Sequence, residues 1–549
     1  MKNQKTKKAA NLFASGVLAL TIANLVVKVI GLGLKIPLKS AITNVGMGYY
    51  NVAYNIYVLL FMIATTGIPV AIAMMVSESR AKGNLREPKR IFRVSLATLA
   101  VIGFVGMLAM MLLSGVIADG YNSEGLQYSI ICIAPTLFFI CIACAIRGYF
   151  QGHQNMVPTA VSEVIEALGK LVIGLALALV AMRFIPDSNS KKHALAAAMA
   201  ILGPTVGVAI GMIYLIIKKA SFKEELYNAE YERPDSYDMP VRSNKTILKT
   251  LLLIAIPITL SSSVMSLTNV IDSWIIANRL DFLGLAETAR VEMYGAFTTE
   301  VITLFNLPPV LIYPISGSIV PYLSALLVKN EKDKVHGLLN SSLKVASLIA
   351  LPCALGMSVL SEPVITLIFG DCYVDSPGHL RIQALAVFFM AMLSMSTSFL
   401  QAYKLERKPI ISMIAGAVVK VTTSWFLIGN ENIRMYGAPI GSLLCYITIV
   451  IFNFYFVAKH IGFIPSFRRV FLKPLAAAVL CAATALGAYH LLAGFLGVGR
   501  IVTILAIVVA AVVYLFAILL FGALNKDDFA IIPKGEKIYS LLKKARLVK

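Results

Sequence analysis

Charge is what this sequence has least of. Only 14% of its 549 residues are Asp, Glu, Lys or Arg, against 58% hydrophobic, which is too little polar surface for a soluble protein of this length. The composition is that of a polytopic membrane protein. Acidic residues are the scarcer sign, 28 against 49 Lys and Arg. Such an excess can signal nucleic acid, but basic loops between apolar runs are the ordinary mark of a membrane protein, so no nucleic-acid partner is expected. The seven cysteines, Cys132, Cys141, Cys144, Cys353, Cys372, Cys445 and Cys481, lie almost wholly inside apolar runs and suggest no disulfide framework. Cys141 and Cys144 have redox or metal spacing, yet inside a span they read as packing groups. The six histidines show no ligand pairing. The chain also lacks a phosphate-cradling GxxxxGKS or GxxxxGKT, an outward acidic cluster suited to metal-dependent glycosyl transfer, and a nucleophile with a nearby base. An ATP-driven pump and a membrane-embedded enzyme are thereby disfavoured, no metal or cofactor is expected, and secondary transport remains.

What is present is a succession of apolar runs, about fourteen at about 20 residues per span. Six lie between residues 11 and 217, beginning with 11–35 and 49–76. Six more lie between 248 and 458, and two near 474–493 and 501–522. Lys2, Lys5, Lys7 and Lys8 mimic a signal peptide, but the run after them continues to about Leu34 with no persuasive cleavage site and reads as a span. The run 294–328 is overlong and broken by Pro308-Pro309, Pro314 and Pro321, as one kinked or tilted helix would be. Lys and Arg crowd the alternate loops that share a side with the N-terminus, so both termini are expected in the cytoplasm.

The chain also repeats itself. At a constant shift of 250 residues Gly67 meets Gly317, Lys82 meets Lys332, Phe138-Phe139 meets Phe388-Phe389, Gln151 meets Gln401 and Lys170 meets Lys420. Two six-span units that both start in the cytoplasm are related by an axis along the membrane normal. The expected fold is an all-α integral membrane protein: an N-terminal lobe over 1–217, a cytoplasmic linker over 218–247 and a second lobe over 248–460. Two added helices and a basic tail fill 461–549. In that tail Ile538, Leu541, Leu542 and Ala545 share one helical face, as in a helix lying on the membrane surface.

Ionisable residues inside spans are expensive and are by default functional candidates. Asn24, Lys28 and Lys35 fall near one face of the first span, with snorkelling at the outer boundary the competing reading for Lys35. Between Leu137 and Leu171 a polar turn, Arg147-Gly148-Tyr149-Phe150-Gln151-Gly152, is followed by a run carrying Glu163, Glu166 and Lys170. Counted from Val157, Lys170 lies roughly 20 Å into its span. Glu166 and Lys170 are spaced i, i+4, so a self-neutralised pair competes with function there. Lys420 has no acidic neighbour at i±3 or i±4 and is harder to explain in that way. Asp272 with Asn269, and Glu300 beyond them, could carry a coupling sodium ion or proton, or pair with an intramembrane lysine.

The stretches Gly46-Met47-Gly48-Tyr49-Tyr50, Gly67-Ile68-Pro69-Val70-Ala71-Ile72 and Arg147-Gly148-Tyr149-Phe150-Gln151-Gly152, with Asn155-Met156 and Pro158-Thr159, resemble the stage V sporulation protein B / YtgP branch of the MurJ-like lipid II flippases. That branch lies in the multidrug/oligosaccharidyl-lipid/polysaccharide exporter superfamily. The resemblance covers nearly the whole chain. It implies two six-helix lobes around a cavity, two added helices lining a groove for a polyprenyl tail, and a bacterial cytoplasmic membrane. It also implies export of an undecaprenyl-diphosphate-linked cell-wall precursor, first of all lipid II, with cell-wall synthesis proteins as partners. A flippase for teichoic-acid or capsular units would differ only in headgroup, and a cation-coupled multidrug exporter would want an acid-dominated cavity. Where related flippases look arginine-rich, this chain offers Lys28, Lys170 and Lys420, point charges without a bidentate fork.

Overall fold

The computed structural model describes residues 2–222, 236–328 and 331–522, and among them every regular element is helical. Apolar runs of this length leave the backbone no water to bond to in a bilayer, and a helix pairs each N–H and C=O within its own segment. Two compact units result.

The first unit, Met1–Asp281 with Leu285–Gly295, opens with α1 (Lys2–Thr65). There follow α2 (Gly67–Ala81), α3 (Glu87–Leu112), the short α4 (Ser114–Gly120), α5 (Leu126–Gly152), α6 (Val157–Phe184), α7 (Lys192–Ala220), α8 (Asn244–Phe282) and α9 (Glu287–Ala296). No loop separates the first two expected spans. Instead α1 breaks at Thr43, where φ is 63° and ψ 178°. The apolar stretch Ile22–Ala81 is 60 residues long, about 90 Å of helix and so about three times a hydrocarbon core. The break divides it into two crossings. His193 Nδ1, from the start of α7, donates to the Ile42 carbonyl at the break over 3.2 Å. Among the described residues 11 helices are long and apolar enough to cross a membrane, or up to 13 if each of two bent pairs is one span. Dividing Ile22–Ala81 adds one more and meets the expectation of about fourteen.

Within this unit α5 packs against α1, α2, α3 and α7 and buries residues on all sides, among them Ile133, Ile140, Tyr149 and Phe150. Arg147 to Gly152, expected as a turn, are the last residues of α5 itself. Their polar groups are satisfied in place: Arg147 bonds to α6, and Arg80 Nη1 donates to the Gly152 carbonyl over 3.0 Å. α6 and α7 approach closely because Gly169 lies against Gly207 and Gly174 against Gly203, the small-residue contact that brings membrane helices together. α8 bends by 52° between Leu260 and Ser263, about one turn beyond Pro257, which removes a helical hydrogen bond.

The segment entering α8 is bound to the turn between α2 and α3. Leu85 N–H donates to the Ser236 carbonyl (3.1 Å), Asn84 Nδ2 to the Pro240 carbonyl (3.0 Å) and Arg242 Nε to Glu87 Oε1 (2.6 Å). The rest of the expected linker lies outside the described residues.

The second unit, Phe282–Gly284 with Ala296–Lys549, contains a π-helical turn, Phe297–Val301. It continues with α10 (Ile302–Phe305), α11 (Pro309–Val328), α12 (Lys332–Val359), α13 (Ser361–Phe369), α14 (Ser376–Ala402), α15 (Arg407–Ile428), α16 (Gly437–Ile461), α17 (Lys473–Leu496) and α18 (Arg500–Leu520). The long run 294–328 is broken at Pro308-Pro309. α14 packs with α11, α12 and α16; it begins and ends 250 residues after α5, the shift of the sequence repeat. α17 and α18 pack on one another and, through Ala477, Ala478, Cys481 and Tyr514, beside Leu348 and Leu351 of α12. The Tyr514 hydroxyl donates to the Leu348 carbonyl over 2.6 Å. The expected surface helix in the tail lies outside the described residues. Packing groups α8 with the first unit, whereas the sequence repeat starts its second copy at residue 248.

Candidate functional site

The first unit contains a cavity of about 610 Å³ walled by α1, α5, α6 and α7. Six residues singled out in the sequence line it: Asn24 and Lys28 from α1 before the break, Arg147 near the end of α5, and Glu163, Glu166 and Lys170 from α6. The α6 residues share a face by helical spacing, and the α6–α7 glycine contact holds that helix against Pro204 and Val208 of the far wall. Tyr54, Tyr57 and Phe61, from α1 beyond the break, complete the lining.

The charges pair differently from the i, i+4 expectation. Glu166 Oε1 accepts a hydrogen bond from Arg147 Nη2, across the α5–α6 hairpin, and Arg147 Nε donates to Ser162 Oγ over 3.1 Å. Arg147 and Glu166 side chains are only 7% and 15% exposed, so neither charge could stand there without the other. Glu163 lies within electrostatic reach of the same guanidinium. Lys170 is not consumed by Glu166. Its Nζ lies 4.0 Å from the centre of the Tyr54 ring, a cation held against the negative face of an aromatic. Lys35 is half-buried, close enough to repel Lys170, and stands off the lining.

The other sequence candidates are elsewhere. Asp272 on α8 is buried and lies within electrostatic reach of Tyr294, while Asn269, one turn earlier, is exposed. Neither lines the cavity. In the second unit Glu300 is fully buried on the π-helical turn, where its Oε2 accepts the Tyr373 N–H over 3.2 Å. Lys420 is half-buried on α15. Gly148 sits in the α2–α5 contact, facing the Pro69 carbonyl and Ile72, and half-buried Gln151 follows it in the last turn of α5. The sequence reading missed the aromatic wall. Its signal was the spacing of Tyr50, Tyr54, Tyr57 and Phe61 at i, i+4, i+7 and i+11, which puts all four on one helical face.

The polysaccharide biosynthesis protein family is matched over residues 13–327. Stage V sporulation protein B of Bacillus subtilis (strain 168) is 24% identical over 534 residues, 96% of this chain and 98% of that protein. Lipid II flippase MurJ of the same organism is 22% identical over 461 residues, 82% of this chain and 83% of that protein. Among solved structures, lipid II flippase MurJ in an inward closed conformation superposes with a TM-score of 0.65 at 14% identity, covering 92% of this chain and 98% of that one. The fold is therefore that of the flippase resemblance drawn from Arg147 to Gly152 and its companion stretches.

Proposed function

Since the chain belongs to the polysaccharide biosynthesis protein family, we propose that it is a flippase, not an enzyme. On this reading it moves an undecaprenyl-diphosphate-linked cell-wall precursor, lipid II, across the bacterial cytoplasmic membrane by alternating access. The observation that carries the reading is the cavity. It gathers the cations Lys28, Arg147 and Lys170 against the acids Glu163 and Glu166 inside an apolar helix bundle, which leaves one positive charge in surplus. In a low-dielectric wall such a surplus attracts an anion far more strongly than it would in water. Arg147 is committed to Glu166, so Lys170 is the cation that α6 presents to a headgroup diphosphate. The polyprenyl tail stays in lipid, where its transfer costs nothing.

The name of one relative, lipid II flippase MurJ, supports the class of substrate. In the second unit Lys420 is the proposed counterpart of Lys170. Asp272, Asn269 and Glu300 are the proposed carriers of the coupling sodium ion or proton. Depletion of the protein in its native cell tests the reading. Lipid II should accumulate on the cytoplasmic face; accumulation of a teichoic-acid or capsular lipid would reassign the headgroup, and no accumulation of any lipid-linked precursor would overturn the proposal.

A further inference from the structure

We propose that the aromatic wall of the cavity is a sugar-binding subsite: Tyr57 and Phe61 of α1, at the end of the ladder that Tyr54 begins, meet the glycan rings of the headgroup while the lysines hold its anionic end. This rests on the flippase reading above and names the part of the substrate that α1 recognises.

The three rings form a continuous ladder. Tyr54 and Tyr57 have ring centres 5.8 Å apart, and Tyr57 and Phe61 5.7 Å apart, with interplanar angles of 46° and 47°. Tyr50 stacks behind Tyr54 at 5.9 Å and 15°, and is itself buried. Tyr50 stands off the lining and is core, whereas Tyr54 and Phe61, half-buried, and Tyr57, buried, all line the cavity. From Tyr54 to Phe61 the ladder covers about 10 Å of helix, room for more than one sugar ring.

The chemistry around the ladder selects the occupant. A sugar ring has an apolar C–H face and a hydroxyl-bearing edge, so it needs an aromatic surface with polar groups beside it. Asn24, Glu163 and Arg147 line the same cavity and can meet hydroxyls. A polyprenyl chain would need no such polar groups, and a diphosphate would need no rings. The ladder is also packed before anything binds: Lys170 lies over one face of Tyr54, and Tyr57 is buried. Fixing rings in advance lowers the ordering cost of binding.

The test measures binding of two lipids to the full-length protein in nanodiscs by native mass spectrometry: undecaprenyl diphosphate, and the same lipid carrying an N-acetylated disaccharide. Phe61→Leu and Tyr57→Leu should each weaken the glycan-bearing lipid roughly tenfold and leave the sugar-free lipid unchanged. Phe61→Tyr and Tyr57→Phe, which keep the rings, should bind both lipids as the native chain does. Leucine variants that weaken both lipids equally, or neither, would overturn the subsite. Should a leucine variant fail to fold, hydrogen exchange across residues 50–62 of the native chain replaces it: protection by the glycan-bearing lipid alone supports the subsite, and equal protection by both refutes it. The flippase reading has its own arm. If the native chain binds the sugar-free lipid and Lys170→Ala does not, that reading stands even when the subsite falls. Binding of neither lipid removes both.

Discussion

At Lys170 the decisive fact is which group Glu166 serves. Because Glu166 is paired to Arg147, Lys170→Ala should cut flipping in proteoliposomes at least tenfold, and adding Glu166→Gln should not rescue it. Recovery in that double variant would return Lys170 to a structural role. Arg147→Ala should behave in the opposite way. It strands a buried carboxylate and should cost about 3–5 kcal/mol, seen as a lower melting temperature in detergent that Glu166→Gln in the same chain largely restores. For the coupling residues, Glu300→Gln retains an oxygen to accept the Tyr373 N–H and removes only the charge. It and Asp272→Asn should make transport insensitive to the ion gradient while substrate still binds; unchanged gradient dependence in both would make them structural. At this scale the sequence named residues that line one cavity but not their partners. Spacing within one helix placed Glu163, Glu166 and Lys170 on a shared face, yet Arg147 approaches Glu166 from a neighbouring helix, and no periodicity within a helix records what faces it.

Among the elements, α1 carries the sharpest geometric demands. Thr43 holds a positive φ with an extended ψ, a conformation that costs a non-glycine residue of order 1–3 kcal/mol. Thr43→Gly should therefore raise the melting temperature. A few residues on, a Cβ at Gly48 would land on the Val291 carbonyl of α9, so Gly48→Ala should lower stability by about 1–3 kcal/mol through overpacking. A melt that moves the other way in either variant would contradict the backbone path drawn here. That close approach gives Gly48 of the Gly46 to Tyr50 stretch a physical reason to be glycine. α6 begins at Val157, where the sequence count starts its span, because Pro158 marks that start. The break in α1 was not legible: Pro37, the obvious breaker, lies inside the helix, and the break falls six residues later at a threonine whose sequence carries no such signal. The polar run Arg147 to Gly152 misled in the other direction, since the Arg147 side chain and the Gly152 carbonyl find partners without leaving the helix.

For the whole molecule the open quantity is orientation. The loops near Arg86, Glu230 and Lys332 should be cytoplasmic, and those near Asn122 and Glu431 external. With the native cysteines replaced, half-buried Cys372 included, a cysteine at position 124 should react with an impermeant reagent from outside intact cells and one at position 86 should not. Strong labelling at 86 would invert the topology. At this scale the sequence repeat has a counterpart in the shared 250-residue shift of α5 and α14. The grouping of α8 with the first unit depends on contacts made far along the chain. Those contacts have a further consequence. On one side of residues 223–235, Lys219 lies 4.1 Å from the centre of the Tyr149 ring and Phe222 packs on Phe150. On the other, Ser236, Pro240 and Arg242 are bonded to the turn between α2 and α3. A gene divided between the codons for residues 222 and 236 would yield two polypeptides that still hold, between them, every one of these bonds, so fission at that point leaves the means of reassembly intact.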